Sequence, residues 1–214
     1  MWTETRDKVR ETDRLSFFVK GKRFPELTGD DILAHDAGHV NNALSKLSRY
    51  TDAFLHGKRP DVATVQKQVV PDLWIYGFQV ATAYGISQLA SYAAASGIKA
   101  MTLEAVSSEK ELIDLQTAED RENLPESIWK GRGRDPIATI AYERFTLSES
   151  AISMTRVADQ ADHGVYVPGE PIAHIASGRL LVAAVRIADA MQVDLAAETE
   201  SRLVEIREKY GTAE

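Results

Sequence analysis

The chain has 214 residues and no cysteine, and its 32 acidic and 25 basic side chains give a formal net charge of −7. The absence of cysteine excludes disulfides, thiolate metal ligands and cysteine nucleophiles. An acidic chain without a Lys/Arg-rich block is poorly suited to the phosphate backbone of nucleic acids, so we expect no nucleic-acid partner. The length is sufficient for a sizeable buried core.

The N-terminal segment, residues 1–27, is polar and begins MWTETRDKVRETDR. It contains no apolar stretch of the kind that a secretory signal requires, so the expected location is cytoplasmic. We interpret this segment as an N-terminal arm, or a short helix, packed on the body of the protein.

A helix is predicted to begin after Thr28, because threonine is a favoured residue at helix N-caps. Apolar side chains follow at helical spacing at Leu33, Val40, Leu44 and Leu47. This periodicity indicates a helix with one face in the core.

The same helix carries His35, Asp36 and His39. Residues i and i+4 lie one turn apart on a helix, so the two imidazoles are neighbours and the carboxylate lies beside them. One interpretation is that this set holds a divalent metal ion. The alternative is a solvated face, since the two histidines continue through Asn42 and Lys46 as a polar stripe opposite the apolar one.

Asp72 is the only charged residue between positions 69 and 98, in VVPDLWIYGFQVATAYGISQLASYAAASGI. A lone carboxylate inside an apolar element is costly to bury unless a partner compensates it. Asp72 is therefore predicted to be either a metal ligand or a well-satisfied anchor.

Pro71 suits the first turn of a helix, and the glycines predict where helices end, at Gly85 and again at Gly97. The uncharged run is long enough to raise the question of a membrane span. Its polar side chains, among them Gln79 and Gln88, and the lack of a flanking basic cluster favour core helices, so no membrane is expected.

The two halves of the chain are similar in sequence pattern: residues 179–194 align without a gap on residues 72–87 and share their apolar pattern. An internal duplication accounts for this similarity. The predicted organisation after the arm is a first half at 28–100, a charged connector at 101–135 and a second half at 136–214.

The segments PDLWIYGFQVATAYGIS and GRLLVAAVRIADAMQVDLAAETESRLVEIREKYG resemble the second motif helix of the MazG-like nucleotide pyrophosphohydrolases, which include the dimeric dUTPases. The resemblance implies an all-α fold: a helical bundle of two MazG-like halves packed as a pseudo-dimer. The family's Glu-Glu-x-x-Glu motif maps onto His35, Asp36 and His39. Its Glu-x-x-Asp motif maps onto Val69 to Asp72, so the glutamate is lost and the aspartate kept.

In that family, carboxylates bind Mg²⁺, which bridges the nucleotide phosphates and activates water. The resemblance implies catalytic roles for Asp36 and Asp72 and a metal site formed by His35, Asp36, His39 and Asp72. Imidazole ligands favour Mn²⁺, Zn²⁺ or Fe²⁺ over Mg²⁺.

The second half departs further from the family pattern. Arg179 and Ala176 replace the aspartate and the glutamate, and only Glu149 lies near the first motif. A cation at a ligand position repels a metal ion, so this half is predicted to be degenerate and unable to bind metal.

Four residues of the first half are candidates for substrate binding. Lys46 and Arg49 lie on the helix of the histidine pair and can contact phosphates, while Trp74 and Tyr76 can stack on a base. The alternative is that the two basic side chains are simply exposed to solvent and that the two aromatic side chains simply pack in the core, which is the commoner situation for each.

Three functional hypotheses follow. The favoured one is a divergent pyrophosphohydrolase that cleaves a (d)NTP to (d)NMP and pyrophosphate with metal-activated water. The second is an inactive nucleotide-binding regulator or sponge, and the third is a helical scaffold or interaction protein. The expected partner is a nucleotide or another phosphorylated small molecule, with a homo-oligomer as a further possibility. Loss of both Glu-x-x-Asp glutamates argues against the first hypothesis, and the retained Asp72 argues against the third.

Overall fold

The computed structural model describes residues 1–16, 18–19, 22–23 and 26–211, and 80% of it is helical. The predicted all-α class and helical bundle are confirmed. Parts of the predicted N-terminal arm, at 17, 20–21 and 24–25, and the last three residues of the predicted second half, 212–214, lie outside the described residues.

The helices are α1 Trp2–Ser16, α2 Gly29–Leu55, α3 Val62–Thr64, α4 Val70–Ala83, α5 Gln88–Ser96, α6 Ala100–Glu104, α7 Glu109–Asn123, α8 Pro136–Asp162, α9 Gly169–Met191 and α10 Leu195–Tyr210. A π-helical turn, Val65–Val69, joins α3 to α4, and a 3₁₀ turn spans Glu126–Ile128. Two short antiparallel hairpins pair β1 Phe18–Val19 with β2 Lys22–Arg23, and β3 Trp129–Lys130 with β4 Gly133–Arg134.

The helices recur at a constant spacing along the chain. Helices α1, α2, α3 and α5 begin at positions 2, 29, 62 and 88, and helices α7, α8, α9 and α10 begin 107 positions later, at 109, 136, 169 and 195. We call α1 to α6 the first unit and α7 to α10 the second unit. In this repeat α1 and α7 are equivalent, so the segments interpreted as arm and connector occupy matching places.

The turn that follows the third helix is the same in both units. Gly85 has φ of 66° and its counterpart Gln192 has φ of 55°, the left-handed conformation that glycine adopts without strain. Both turns then close with a cap: the side chain of Ser87 accepts from Ala90 N–H, and that of Asp194 accepts from Ala197 N–H. Local geometry therefore supports the duplication as strongly as the apolar pattern does.

The two units interlock at the centre of the bundle. Helix α2 packs on α8 and α4 packs on α9, while the helix after the left-handed turn of each unit crosses over, α5 onto α9 and α10 onto α4. A Cβ at Gly77 would lie 2.6 Å from Leu181 Cγ, and a Cβ at Gly178 would lie 2.1 Å from the Ser91 carbonyl oxygen. These glycines permit close crossings of α4 with α9 and of α9 with α5. The packing of α10 on α4 places α10 over the predicted first-half site, and α5 lies over its counterpart on α9.

Helix α9 is long and apolar enough to cross a membrane, but 72% of its most apolar window is buried inside the protein. The uncharged run that raised the same question in the first unit is divided between α4 and α5. Both observations fit helices at the centre of a bundle.

Candidate functional site

Helix α2 presents the predicted residues on two different sides. Its start is held by a capping box, in which the Thr28 side chain accepts from Asp31 N–H and the Asp31 side chain accepts from Thr28 N–H. From there the helical period turns His35 and His39 to a half-buried side and Asp36 into the core.

The two histidines lie together. Their Nε2 atoms are 2.9 Å apart, and the His39 ring is 5.2 Å from the Tyr76 ring. Burial, with the charge of His39 adding to it, lowers the pKa of His35 to about 4, and burial also lowers the pKa of His39. Both imidazoles are thus neutral at pH 7, which is the form that binds metals.

Asp72 is bound by a residue of α10. Its Oδ1 accepts from Arg202 Nε at 2.7 Å and its Oδ2 accepts from Arg202 Nη2 at 3.3 Å. Burial raises the pKa of Asp72, while Arg202, Lys46 and His39 act in the opposite direction. Of the two roles predicted for this carboxylate, the geometry favours the satisfied anchor.

Asp36 is buried in the core, on a different side of α2 from the half-buried histidines. It is 0% exposed, and neither carboxylate oxygen has a hydrogen-bond partner. Burial raises the pKa of Asp36 well above its ordinary value, and the charge of Asp13 adds to the effect. Asp13 accepts from Gln79 Nε2 at 2.5 Å, and burial raises its own pKa to about 7.

The candidate substrate residues are placed differently from one another. Trp74 is fully buried, with its ring centroid 5.9 Å from that of Trp2. Tyr76 is also buried, and burial raises its pKa. Lys46 donates to Gln68 Oε1 at 3.0 Å, and Arg49 is exposed. The aromatic pair belongs to the core in this conformation.

Within the described part of the chain, no group of three or more His, Asp or Glu side chains lies close enough to hold a metal ion. The structure brings together His35 and His39 and places Asp72 near them. It does not bring Asp36 to that group.

The repeat places a cavity at the equivalent position of the second unit. The 107-residue shift carries His35, Asp36, His39 and Asp72 onto Tyr142, Glu143, Thr146 and Arg179. These four residues line a cavity of about 410 Å³ between α5, α8 and α9, together with Ser91, Ala94, Ala95, His174, Ile175, Val182 and Arg186. We call it the α5–α8–α9 cavity.

One further pair of equivalent positions distinguishes how far the space is filled in each unit. Ala95 on α5 stands where α10 has Arg202. In the first unit the long Arg202 side chain reaches Asp72, whereas Ala95 offers only a methyl group toward Arg179. The space that Arg202 fills in one unit is thus open in the other.

The polar groups of the cavity form an ion pair and a hydrogen bond. Arg179 Nη1 lies 3.0 Å from Glu149 Oε2, and both side chains are partly exposed. His174 Nδ1 lies 2.9 Å from Ser91 Oγ. The Arg179–Glu149 ion pair is partly exposed and contributes little to stability, whereas Ser91 is buried at the cavity wall.

The inner wall is a buried ion network. Arg186 donates to Glu143 Oε1 at 3.0 Å and to both oxygens of Asp120 at 2.6 and 2.8 Å, and Arg134 donates to Asp120 at 2.5 Å. Burial raises the pKa of Glu143, and Arg186 opposes that rise. The sequence patterns did not single out this network, although Arg186 is a lone cation in the apolar stretch LLVAAVRIA and was a usable signal.

Comparison with protein-family models finds no match, and neither the curated proteins nor the solved structures compared are similar to this chain. The assignment of function therefore rests on the resemblance in the sequence and on the geometry above.

Proposed function

We propose that the protein binds a nucleotide or another phosphorylated small molecule in the α5–α8–α9 cavity and does not hydrolyse it. The observation that carries the proposal is the position of Arg179. It stands in an open cavity at the place where the first unit has Asp72 and where the MazG-like enzymes hold their metal.

A guanidinium at this place supplies the charge that a metal ion provides in the enzymes. Its fork of N–H donors matches the oxygens of a phosphate in a bidentate contact. Arg179 is free to make that contact, because its pairing with Glu149 is partly exposed and is easily exchanged for a ligand. His174, from the preceding turn of α9, adds the ring nitrogens of its imidazole as further hydrogen-bonding groups at the cavity.

The dimensions and the remaining lining support a ligand of nucleotide size. A volume of about 410 Å³ falls within the range of small-molecule sites. Ala94, Ile175 and Val182 provide an apolar wall, and Tyr142 offers a ring for a base.

A second cavity, of about 440 Å³, is lined by Asp30 and Glu170, whose charges repel phosphate.

The hydrolase hypothesis remains the second candidate, and the histidine pair favours it. Two neutral imidazoles with Nε2 atoms 2.9 Å apart are suited to a transition metal. Against it, Asp36 is sealed in the core and Asp72 is held by Arg202. A metal at the histidines would therefore lack the two carboxylates that the family resemblance assigns to catalysis.

Titration calorimetry with ATP, dUTP, AMP and pyrophosphate tests the proposal. We expect Arg179→Ala to raise the dissociation constant of the tightest-binding ligand by about 10- to 100-fold, which corresponds to the loss of one charge-assisted phosphate contact. The control is Arg156→Ala, which removes an exposed arginine from α8 and should leave affinity unchanged. The double substitution Ala95→Arg with Arg179→Asp copies the first unit and should abolish binding by closing the cavity.

Absence of any heat of binding, or equal affinities of the wild type and Arg179→Ala, would overturn the proposal. Pyrophosphate release assayed in the same samples separates the candidates. Metal-dependent release that Asp72→Asn abolishes would establish the hydrolase instead.

A further inference from the structure

The buried network of the second unit has a counterpart in the first unit that lacks its cations. The 107-residue shift carries Asp120, Glu143 and Arg186 back onto Asp13, Asp36 and Gln79. Both units thus bury two carboxyl side chains, one from the first helix and one from the second, and a long polar side chain from α4 or α9. In the first unit Gln79 of α4 donates to Asp13 of α1. The difference is that the guanidinium of Arg186 is replaced by the neutral amide of Gln79.

The second unit satisfies its carboxylates fully. Asp120 binds both Arg186 and Arg134, and Glu143 binds Arg186 through Oε1 and Thr146 through Oε2. In the first unit Arg134 corresponds to Leu27. Two carboxyl groups are therefore buried in the first unit without either of the cations that their counterparts have.

Several oxygen atoms of the first unit are left without partners as a result. Both carboxylate oxygens of Asp36, which is 0% exposed, and the amide oxygen Oε1 of Gln79, which is 7% exposed, have no hydrogen-bond donor. Gln79 is held beside Asp13 by its Nε2 hydrogen bond. Buried polar atoms in native proteins are almost always satisfied. Orphaned acceptors at the positions equivalent to Glu143 and Arg186, which bond each other in the second unit, indicate a missing donor or ion.

We infer that the first unit binds one divalent cation through Asp13, Asp36 and the Oε1 atom of Gln79. Two carboxylates and an amide oxygen form a ligand set of the kind that Ca²⁺ and Mg²⁺ prefer. One divalent cation neutralises two carboxylates, as the guanidinium groups do in the second unit. This site shares Asp36 with the metal site predicted from the sequence, but its other ligands come from α1 and α4, and the histidines are not among them.

The alternative to a cation is protonation, since burial alone raises the pKa values of Asp13 and Asp36. The two explanations predict different dependences of the stability of the folded protein on pH and on cation concentration. Protons stabilise a neutral pair only at acidic pH, whereas a bound cation stabilises the folded protein in proportion to its concentration at neutral pH.

Thermal unfolding at pH 7.5 of protein freed of metal with EDTA tests the inference, with CaCl₂ or MgCl₂ compared against choline chloride at equal ionic strength. We expect one of the divalent salts to raise the midpoint saturably, by about 5–10 °C at a hundredfold excess over the dissociation constant. Asp36→Asn should remove the response. Asp114→Asn, which removes an exposed carboxylate on α7, is the matched control and should retain it.

Gln79→Arg supplies the cation within the chain, as the second unit does, and should make the midpoint independent of divalent salt. His39→Ala should retain the response, which separates this site from one at the histidines. Equilibrium dialysis with ⁴⁵Ca²⁺ measures the same site if a variant does not fold: one ion per wild-type chain is expected when Ca²⁺ is the stabilising salt.

Equal midpoints in divalent and choline salts would overturn the inference, as would a response that Asp36→Asn leaves intact. The result is independent of nucleotide binding, because α5, α8 and α9, which line the cavity, supply none of the three cation ligands, and nucleotide binding is tested by Arg179→Ala.

Discussion

Arg202 of α10 holds the carboxylate of Asp72, 130 positions earlier in the chain, through Nε at 2.7 Å and Nη2 at 3.3 Å. The corresponding pair in the second unit is Ala95 and Arg179, an aligned methyl group and guanidinium that do not bond. The same fold thus contains a closed site in one unit and an open cavity in the other, and the residue that decides between them belongs each time to the opposite unit.

Removal of Arg202 should destabilise the protein because it leaves Asp72 buried without its partner. We expect Arg202→Ala to lower the free energy of unfolding by about 2–4 kcal/mol, somewhat less than a fully buried pair because Arg202 is partly exposed. Urea denaturation gives the value. The comparison is Arg207→Ala, whose ion pair with Glu200 is exposed and 3.9 Å long and which should cost less than about 1 kcal/mol. Similar losses in both variants would show that the Asp72 contact is unimportant.

The buried carboxyl groups of the first unit make stability depend on pH when divalent cations are absent. The folded pKa of Asp13 is about 7, above its ordinary value of 3.8. Between these values the unfolded chain has released the proton and the folded protein has kept it, so stability is full below about pH 4 and is lost as the pH rises toward 7. The loss is at most about 4 kcal/mol.

The measurement for this effect is urea denaturation of the wild type and Asp13→Asn in EDTA from pH 4.5 to 8. The asparagine variant cannot titrate, so the difference in unfolding free energy between the two proteins should change across this range. A constant difference would mean that Asp13 is ionised in the folded protein throughout.

The histidine pair contributes with the opposite sign. The folded pKa of His35 is about 4, below its ordinary 6.5, so the unfolded chain takes up a proton first as the pH falls. Stability from this residue is complete above about pH 6.5 and is lost as the pH falls toward 4. His35→Gln should therefore flatten the acid side of the stability profile in urea denaturation. His56→Gln, at an exposed histidine, serves as the reference and should leave the profile as it is.

Transition-metal binding tests whether a metal ion is held by the four residues predicted from the sequence or only by the two histidines that the structure brings together. If the metal binds only the two imidazoles, Asp72→Asn should leave the Zn²⁺ content measured by plasma mass spectrometry unchanged, and His39→Ala should abolish it. Loss of Zn²⁺ in Asp72→Asn would mean that Asp72 leaves Arg202 to complete the four-residue site implied by the family resemblance.

Arg186→Gln turns the second unit into an analogue of the first. It removes three hydrogen bonds to buried carboxylates, and we expect a loss of about 3–5 kcal/mol in the free energy of unfolding at pH 7.5. Arg156→Ala on α8 is the exposed reference and should change stability by less than about 0.5 kcal/mol. A loss in Arg186→Gln no larger than that of the reference would mean that the network is not a source of stability.

The sequence by itself determined the local structure, because caps and periodicity act between neighbouring residues. Thr28 caps α2 as predicted, and Gly97 follows the end of α5 with φ of 81°. The apolar runs were sufficient to predict the bundle, since a helix that is apolar on several sides can satisfy the hydrophobic effect only among other helices. The aligned segments likewise indicated the duplication before the helix bounds were known.

Only the tertiary structure decided which predicted residues meet. Asp36 and His39 share a helix, but the carboxylate is buried in the core, where the charge of Asp13 on α1 acts on it. Spacing within α2 contains no information about α1. The sequence does not predict the α5–α8–α9 cavity, because its space depends on Ala95, a small residue that has no chemical signature. Arg179 at a ligand position indicates only that a metal ion is repelled. Contacts between residues far apart in the chain are set by how helices cross, and the crossing depends on the packing of the whole core.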